Sequence, residues 1–162
     1  MKLAVLSDTD DNVRKVNVAL HMMAHAVVHC DDLCSPFVVG SMATFLPDTT
    51  PVHIIWGNNE GDIRLICMKA TEHENITLHG DFASLNFHDL QVALTHYPTI
   101  ARSLAASGHY QLVCYGHNRC AHRARTDNCI LLNPVELLGL KGNTSLAWFQ
   151  TITHTVQFVN VL

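Results

Sequence analysis

The chain has 162 residues, 48% hydrophobic and only 15% charged, which suits one domain (1–162) with a sizeable core and excludes a disordered polymer. A formal net charge of -4 argues against a nucleic-acid protein with a broad basic face. No apolar run reaches the roughly 18 residues needed to span a bilayer, and the opening LAVL lacks a signal-peptide layout.

In chain order, a strand-like run at 2–7 is followed by helical periodicity over 13–24, where Val13, Val16, Ala19, Leu20 and Met23 share one face. A second strand at 26–30 leads to a helix through 36–45, with Pro36 in its first turn. A strand at 52–56 precedes a helix over 62–69, and strands follow at 76–79, 82–87 and 90–95. A fourth helix covers 99–107 and is closed by Gly108. Further strands fall at 111–115, 129–133, 144–151 and 154–160. Alternation of strand and helix in the first half predicts βαβ units and a parallel core sheet. The strand-rich last third predicts a hairpin-rich second sheet. The expected architecture is an α/β, αββα four-layer sandwich of two mixed sheets flanked by helices.

Metal-binding residue types stand just past five of these strand runs: Asp8 and Asp10, Asp31 and Asp32, Asn58, His96, and His117. Side chains at the carboxyl ends of neighbouring strands converge on one crevice, where open α/β folds place their ligands. Carboxylate, amide and imidazole together suit a divalent cation. Singly each residue reads as well as a turn or cap residue; the shared topological location gives the set its weight. His21 and His25 have helical i, i+4 spacing but no accompanying glutamate, and read as packing or surface histidines. The glycines around Gly57 and Gly61 lack a P-loop lysine. The six cysteines (Cys30, Cys34, Cys67, Cys114, Cys120, Cys129) show no CxxC spacing and predict reduced thiols in a cytoplasmic protein.

The motifs S-D-T-D at 7–10, D-D-L at 31–33, G-N-N-E at 57–60, T-H-Y-P at 95–98, G-H-N-R at 116–119 and N-P-V-E-L at 133–137 run in order along the whole chain. Together they resemble the calcineurin-like metallophosphoesterases, in particular the small single-domain YfcE-like phosphodiesterases. The resemblance implies a hydrolase that uses two divalent metals about 3.5 Å apart to activate water and clamp a phosphoryl group. It places one metal on Asp32, Asn58, His96 and His117, with Asp32 bridging through its two oxygens and Asn58 also close to the phosphate as a catalytic residue. That donor set suits manganese first, with zinc, nickel or iron as alternatives.

The other metal would need Asp8, a histidine at position 10, Asp32 and a histidine at position 119; here those positions hold Asp10 and Arg119. Asp31 and Val135 also stand where the family usually has glycine, and Asn59 where relatives often have a proton-donating histidine. Arginine carries no lone pair for a metal. Arg119 can pair with Asp8 and Asp10 in place of the metal, swing out and leave a weak site, or bind phosphate directly. The expected partner is a small phosphorylated substrate, with no membrane and no stable nucleic-acid partner; the family habit admits a homo-oligomer. Because a retromer subunit shares this fold, a catalytically impaired metal-binding or scaffold protein is the alternative function.

Overall fold

A computed structural model describes residues 1–22 and 24–162. The first seven elements alternate: β1 (Lys2–Leu6), α1 (Val13–Leu20), β2 (Ala26–His29), α2 (Pro36–Phe45), β3 (Val52–Ile54), α3 (Ile63–Thr71) and β4 (Ile76–Leu78). A hairpin of β5 (Phe82–Phe87) and β6 (Leu90–Thr95) follows, then α4 (Pro98–Ala106), β7 (Leu112–Cys114), β8 (His122–Thr126), β9 (Cys129–Asn133), β10 (Ser145–Gln150) and β11 (Thr155–Asn160). They form a six-stranded sheet in the order β11-β10-β1-β2-β3-β4 and a five-stranded sheet in the order β5-β6-β7-β9-β8.

Period-two patterning explains the layering. Along β1, Leu3 and Val5, with Val28 of β2 and Phe149 of β10 beside them, face the second sheet, where they meet Leu94 and Cys114. Ala4 and Leu6 face the opposite way, against Val16, Val39, Met42 and Ile66 of α1, α2 and α3. On the far side of the second sheet, Val113 and Leu131 pack on Ala101 and Ala105 of α4. The result is the expected αββα sandwich.

Helix starts follow local chemistry. Asn12, Ser35 and Asp62 each accept a backbone N–H of the first turn of α1, α2 and α3, at 3.3, 3.3 and 2.9 Å. Pro98 opens α4 behind Tyr97, whose side chain makes no capping bond.

Register positions the site. In the first sheet Leu6 pairs with His29 and His29 with Ile54, so β1, β2 and β3 end level. In the second, Leu94 pairs with Cys114 at the ends of β6 and β7. The connections leaving these five strands carry Asp8, Asp32, Asn58, His96 and His117.

Three expectations need correction. The β10–β11 hairpin joins the first sheet, antiparallel to β1, rather than the second. Strand β8 was not foreseen: its HRART sequence is a mostly exposed edge with no apolar alternation. Helix α1 ends at Leu20 rather than near 24, with His21 as its C-cap, and Met23 lies outside the described residues.

Candidate metal centre

Each crevice residue lies in the connection just past a strand end. Asp8, Asp32 and His117 have φ of 49°, 64° and 72°, a left-handed conformation that Asp and His tolerate better than most residues. Backbone bonds from Asp8 N to Asp31 O (2.7 Å) and from Asp10 N to Asp32 O (2.9 Å) extend the pairing of β1 and β2 into their loops. Two glycines are required by close approach. A Cβ on Gly57 would lie 2.1 Å from Asp32 Oδ1, and one on Gly116 would lie 1.9 Å from Ser7 Oγ and 2.7 Å from Asp8 Oδ2.

Four donor atoms converge on the side of the crevice where the sheets meet. Asn58 Oδ1 is 3.1 Å from His96 Nε2 and 2.7 Å from His117 Nδ1, and the two ring nitrogens are 3.2 Å apart. Asp32 Oδ2 lies 3.5 Å from His96 Nε2. Asp8, Asp32 and His96, all buried, place ligand atoms within 4.8 Å of one another and form the floor, while Asn58 and His117 are exposed at the rim. Donors about 2.1 Å from a shared cation stand roughly 3.0–3.4 Å from each other, so these spacings fit one first-row divalent ion. The tautomer fits as well. His96 Nδ1 lies 2.7 Å from the Cys30 carbonyl and must donate to it, which leaves the Nε2 lone pair pointing into the cluster. Asp32 Oδ1 already accepts the N–H groups of Asn58 and Asn59, both at 2.9 Å. Oδ2, 3.5 Å from His96 Nε2, is therefore the oxygen left to hold a cation.

The other half holds a guanidinium. Arg119 Nη2 lies 2.8 Å from Asp10 Oδ2, and its Nε 3.5 Å from Asp8 Oδ1. Neither carboxylate oxygen has an aligned hydrogen bond, so the short Asp10 contact is an ion pair rather than a directed bond. The aligned bond from Arg119 runs from Nη1 to Glu136 Oε2 at 3.2 Å. Burial opposes the charge on Arg119, but Asp10, Asp8 and Glu136 outweigh it and hold its pKa above the ordinary value. Burial, with the charge of Asp32 behind it, pushes Asp8 up to about 7, against the lowering effect of hydrogen bonds from Ser7 and His117 and of Arg119.

Glu136 stood in sequence only as part of N-P-V-E-L, with no role of its own, although an acid within apolar V-E-L-L is a signal that a buried partner exists. Asn133, quoted in the same motif without a role, donates to Gly116 O and Asn118 Oδ1 and so shapes the turn that carries His117 and Arg119. Asn59 Nδ2 donates to Asp10 Oδ1 at 2.8 Å, at the rim of the altered half. His21 and His25 do not form a pair. His21 bonds Asn17 O beside Phe45, and His25 accepts the Lys2 N–H.

The model of the calcineurin-like phosphoesterase superfamily domain matches residues 1–153. The chain belongs to that superfamily. It is 28% identical to a phosphodiesterase of Methanocaldococcus jannaschii over 147 residues, 86% of each chain. In fold it is similar to a solved archaeal phosphodiesterase, with a TM-score of 0.89 at 24% identity over 99% of both chains. It is also similar to the phosphoesterase YfcE from E. coli, with a TM-score of 0.65 at 14% identity over the full length of both. Within the calcineurin-like frame, Asp31 and Val135 take φ of 63° and 94°. Glycine adopts that conformation at least cost, in keeping with the glycine that the resemblance led us to expect at both positions. No helix among the described residues is long and apolar enough to cross a membrane.

Proposed function

We propose that this chain, acting as one domain, is a metal-dependent phosphoesterase that hydrolyses small phosphodiesters with a single divalent cation, manganese first. The observation that carries the reading is the mutual approach, at 2.7–3.2 Å, of Asn58 Oδ1, His96 Nε2 and His117 Nδ1, with Asp32 Oδ2 3.5 Å from His96 Nε2. A cation bound there supplies Lewis acidity and lowers the pKa of a water at neutral pH.

The chain's own residues do the rest. Asn58 turns its Oδ1 to the cluster, leaving its exposed Nδ2 to donate to a phosphoryl oxygen. Arg119, paired with Asp8 and Asp10, puts a permanent positive charge where the family would hold its other metal, beside the phosphoryl group. His96 is kept as an Nε2 ligand by the Cys30 carbonyl. No imidazole occupies position 59, so the leaving oxygen receives little acid assistance, which favours good leaving groups such as aryl oxides. Six free cysteines support a reducing, cytoplasmic setting.

The test is turnover of a chromogenic aryl phosphodiester with added Mn²⁺. We expect hydrolysis that chelator abolishes, and a fall of at least about a hundredfold on His96→Ala or Asp32→Ala. The altered half favours a second reading, a metal-binding scaffold protein with impaired chemistry. If the chain is inactive and Asp10→His with Arg119→His creates activity, that second reading replaces the first.

A further inference from the structure

Glu136 is wholly buried in the turn between β9 and β10, and its two oxygens are engaged on different sides. Oε1 accepts the Lys141 backbone N–H at 2.6 Å, and Oε2 accepts Arg119 Nη1 at 3.2 Å. Other nitrogens of the same guanidinium face Asp10 Oδ2 at 2.8 Å and Asp8 Oδ1 at 3.5 Å. Arg119 is therefore a strut between a buried acid and the two acids that line the crevice. The three ends come from three separate connections, β1–α1, β7–β8 and β9–β10.

We infer that Glu136 is a positioning residue that locks Arg119 in this half of the crevice and thereby excludes a second divalent cation. The inference rests on the single-cation reading proposed above. Asp8 Oδ1 and Asp10 Oδ2 lack hydrogen-bond donors, and on their own would attract a cation. For a cation to enter, Arg119 must leave, and its neighbours Asn118 and Cys120 are exposed, so a path to solvent exists. What opposes departure is Glu136. At 0% exposure it has no water to replace the guanidinium, and losing its partner strands a charge in the interior. That penalty corresponds to roughly a hundred- to a thousandfold in affinity for the second cation. The planar fork serves both flanks at once, which a lysine ammonium, as a compact point charge, does not. The turn itself is also held: Lys141 Nζ donates to Asn118 O at 3.1 Å, and Asn133 Nδ2 to Asn118 Oδ1 at 2.8 Å.

The test measures Mn²⁺ stoichiometry by equilibrium dialysis, with electron paramagnetic resonance to separate isolated from spin-coupled ions. Four forms of the full chain are compared: wild type, Arg119→Ala, Glu136→Gln and Arg119→Lys. We expect one isolated ion in wild type. Arg119→Ala, Glu136→Gln and Arg119→Lys should each take up a second, spin-coupled ion at least about a hundredfold more tightly than wild type does. Should Glu136→Gln fail to fold by circular dichroism, Arg119→Lys decides, because it keeps Glu136 and removes only the fork. Two tight ions in wild type would overturn both the lock and the single-cation reading. One ion in wild type and two in Arg119→Ala, with a single ion in both lock variants, overturns the lock alone. One ion in all four forms also overturns it, because nothing is then being excluded.

Discussion

The carboxylates of the candidate metal centre owe their aim to glycines as much as to their own backbone conformation. At Gly116 an added Cβ would meet Ser7 Oγ at 1.9 Å and Asp8 Oδ2 at 2.7 Å, and the hydroxyl it displaces is the one that donates to Asp8. Gly116→Ala should therefore destabilise the fold by about 2 kcal/mol and weaken Mn²⁺ binding, readable in a denaturant melt and a metal titration; unchanged affinity would refute the positioning role. A second residue-scale prediction concerns His53, whose Nδ1 lies 2.9 Å from His79 Nε2 while its ring meets Phe87 edge-on. Burial, with His79 adding to it, lowers its pKa to about 4. Between about pH 6.5 and 4 the unfolded chain binds this proton and the folded one does not, so stability is present above that window and lost as pH falls through it. Comparing melts at pH 7.5 and 4.5, His53→Phe should lose less Tm than wild type; buried His29, lowered to about 3, leaves part of the drop in place. At this scale the sequence made legible that Asp32, Asn58, His96 and His117 follow strand ends and so meet in one crevice. It was illegible for Glu136, because its contact with Arg119 depends on how two separate loops approach in space.

Among the elements, α2 offers the cleanest test of local energetics. Gly40 sits in mid-helix, and a Cβ there would meet nothing within 4 Å. Gly40→Ala should stabilise by about 1 kcal/mol, raising Tm by roughly 2–4 °C; a lower Tm would mean that the open space beside α2 is filled in solution. Elements with a buried face were readable from periodicity, because the same burial that orders β1 or β9 forces its apolar pattern. Strand β8 was not, because an edge strand is ordered by its ladder with β9 rather than by its side chains. The placement of the β10–β11 hairpin was equally hidden. Its apolar inner face fits either sheet, and pairing with β1, from Lys2↔Gln150 to Val5↔Ala147, decides the matter.

At the scale of the whole molecule, the crevice straddles the seam between the two sheets. Asp8, Asp32 and Asn58 follow strands of one sheet, and His96 and His117 follow strands of the other. A cation that binds only this folded arrangement adds about 2.7 kcal/mol at a concentration one hundred times its Kd. For a chain of this size that is a rise in Tm of roughly 5–10 °C. The shift should disappear in His96→Ala, and a shift that persists would place the ion elsewhere.

The seam also dictates when the donors become available. Residues 32 and 96 are brought together only after β1, β2 and β3 have aligned and the second sheet has docked on them through Val5, Val28, Leu94 and Phe149. If the two sheets dock only after the folding barrier, a cation finds no site before that point. In kinetic terms, added metal should leave the refolding rate unchanged and slow unfolding in proportion to the stability gained, so that only the unfolding arm of a chevron moves.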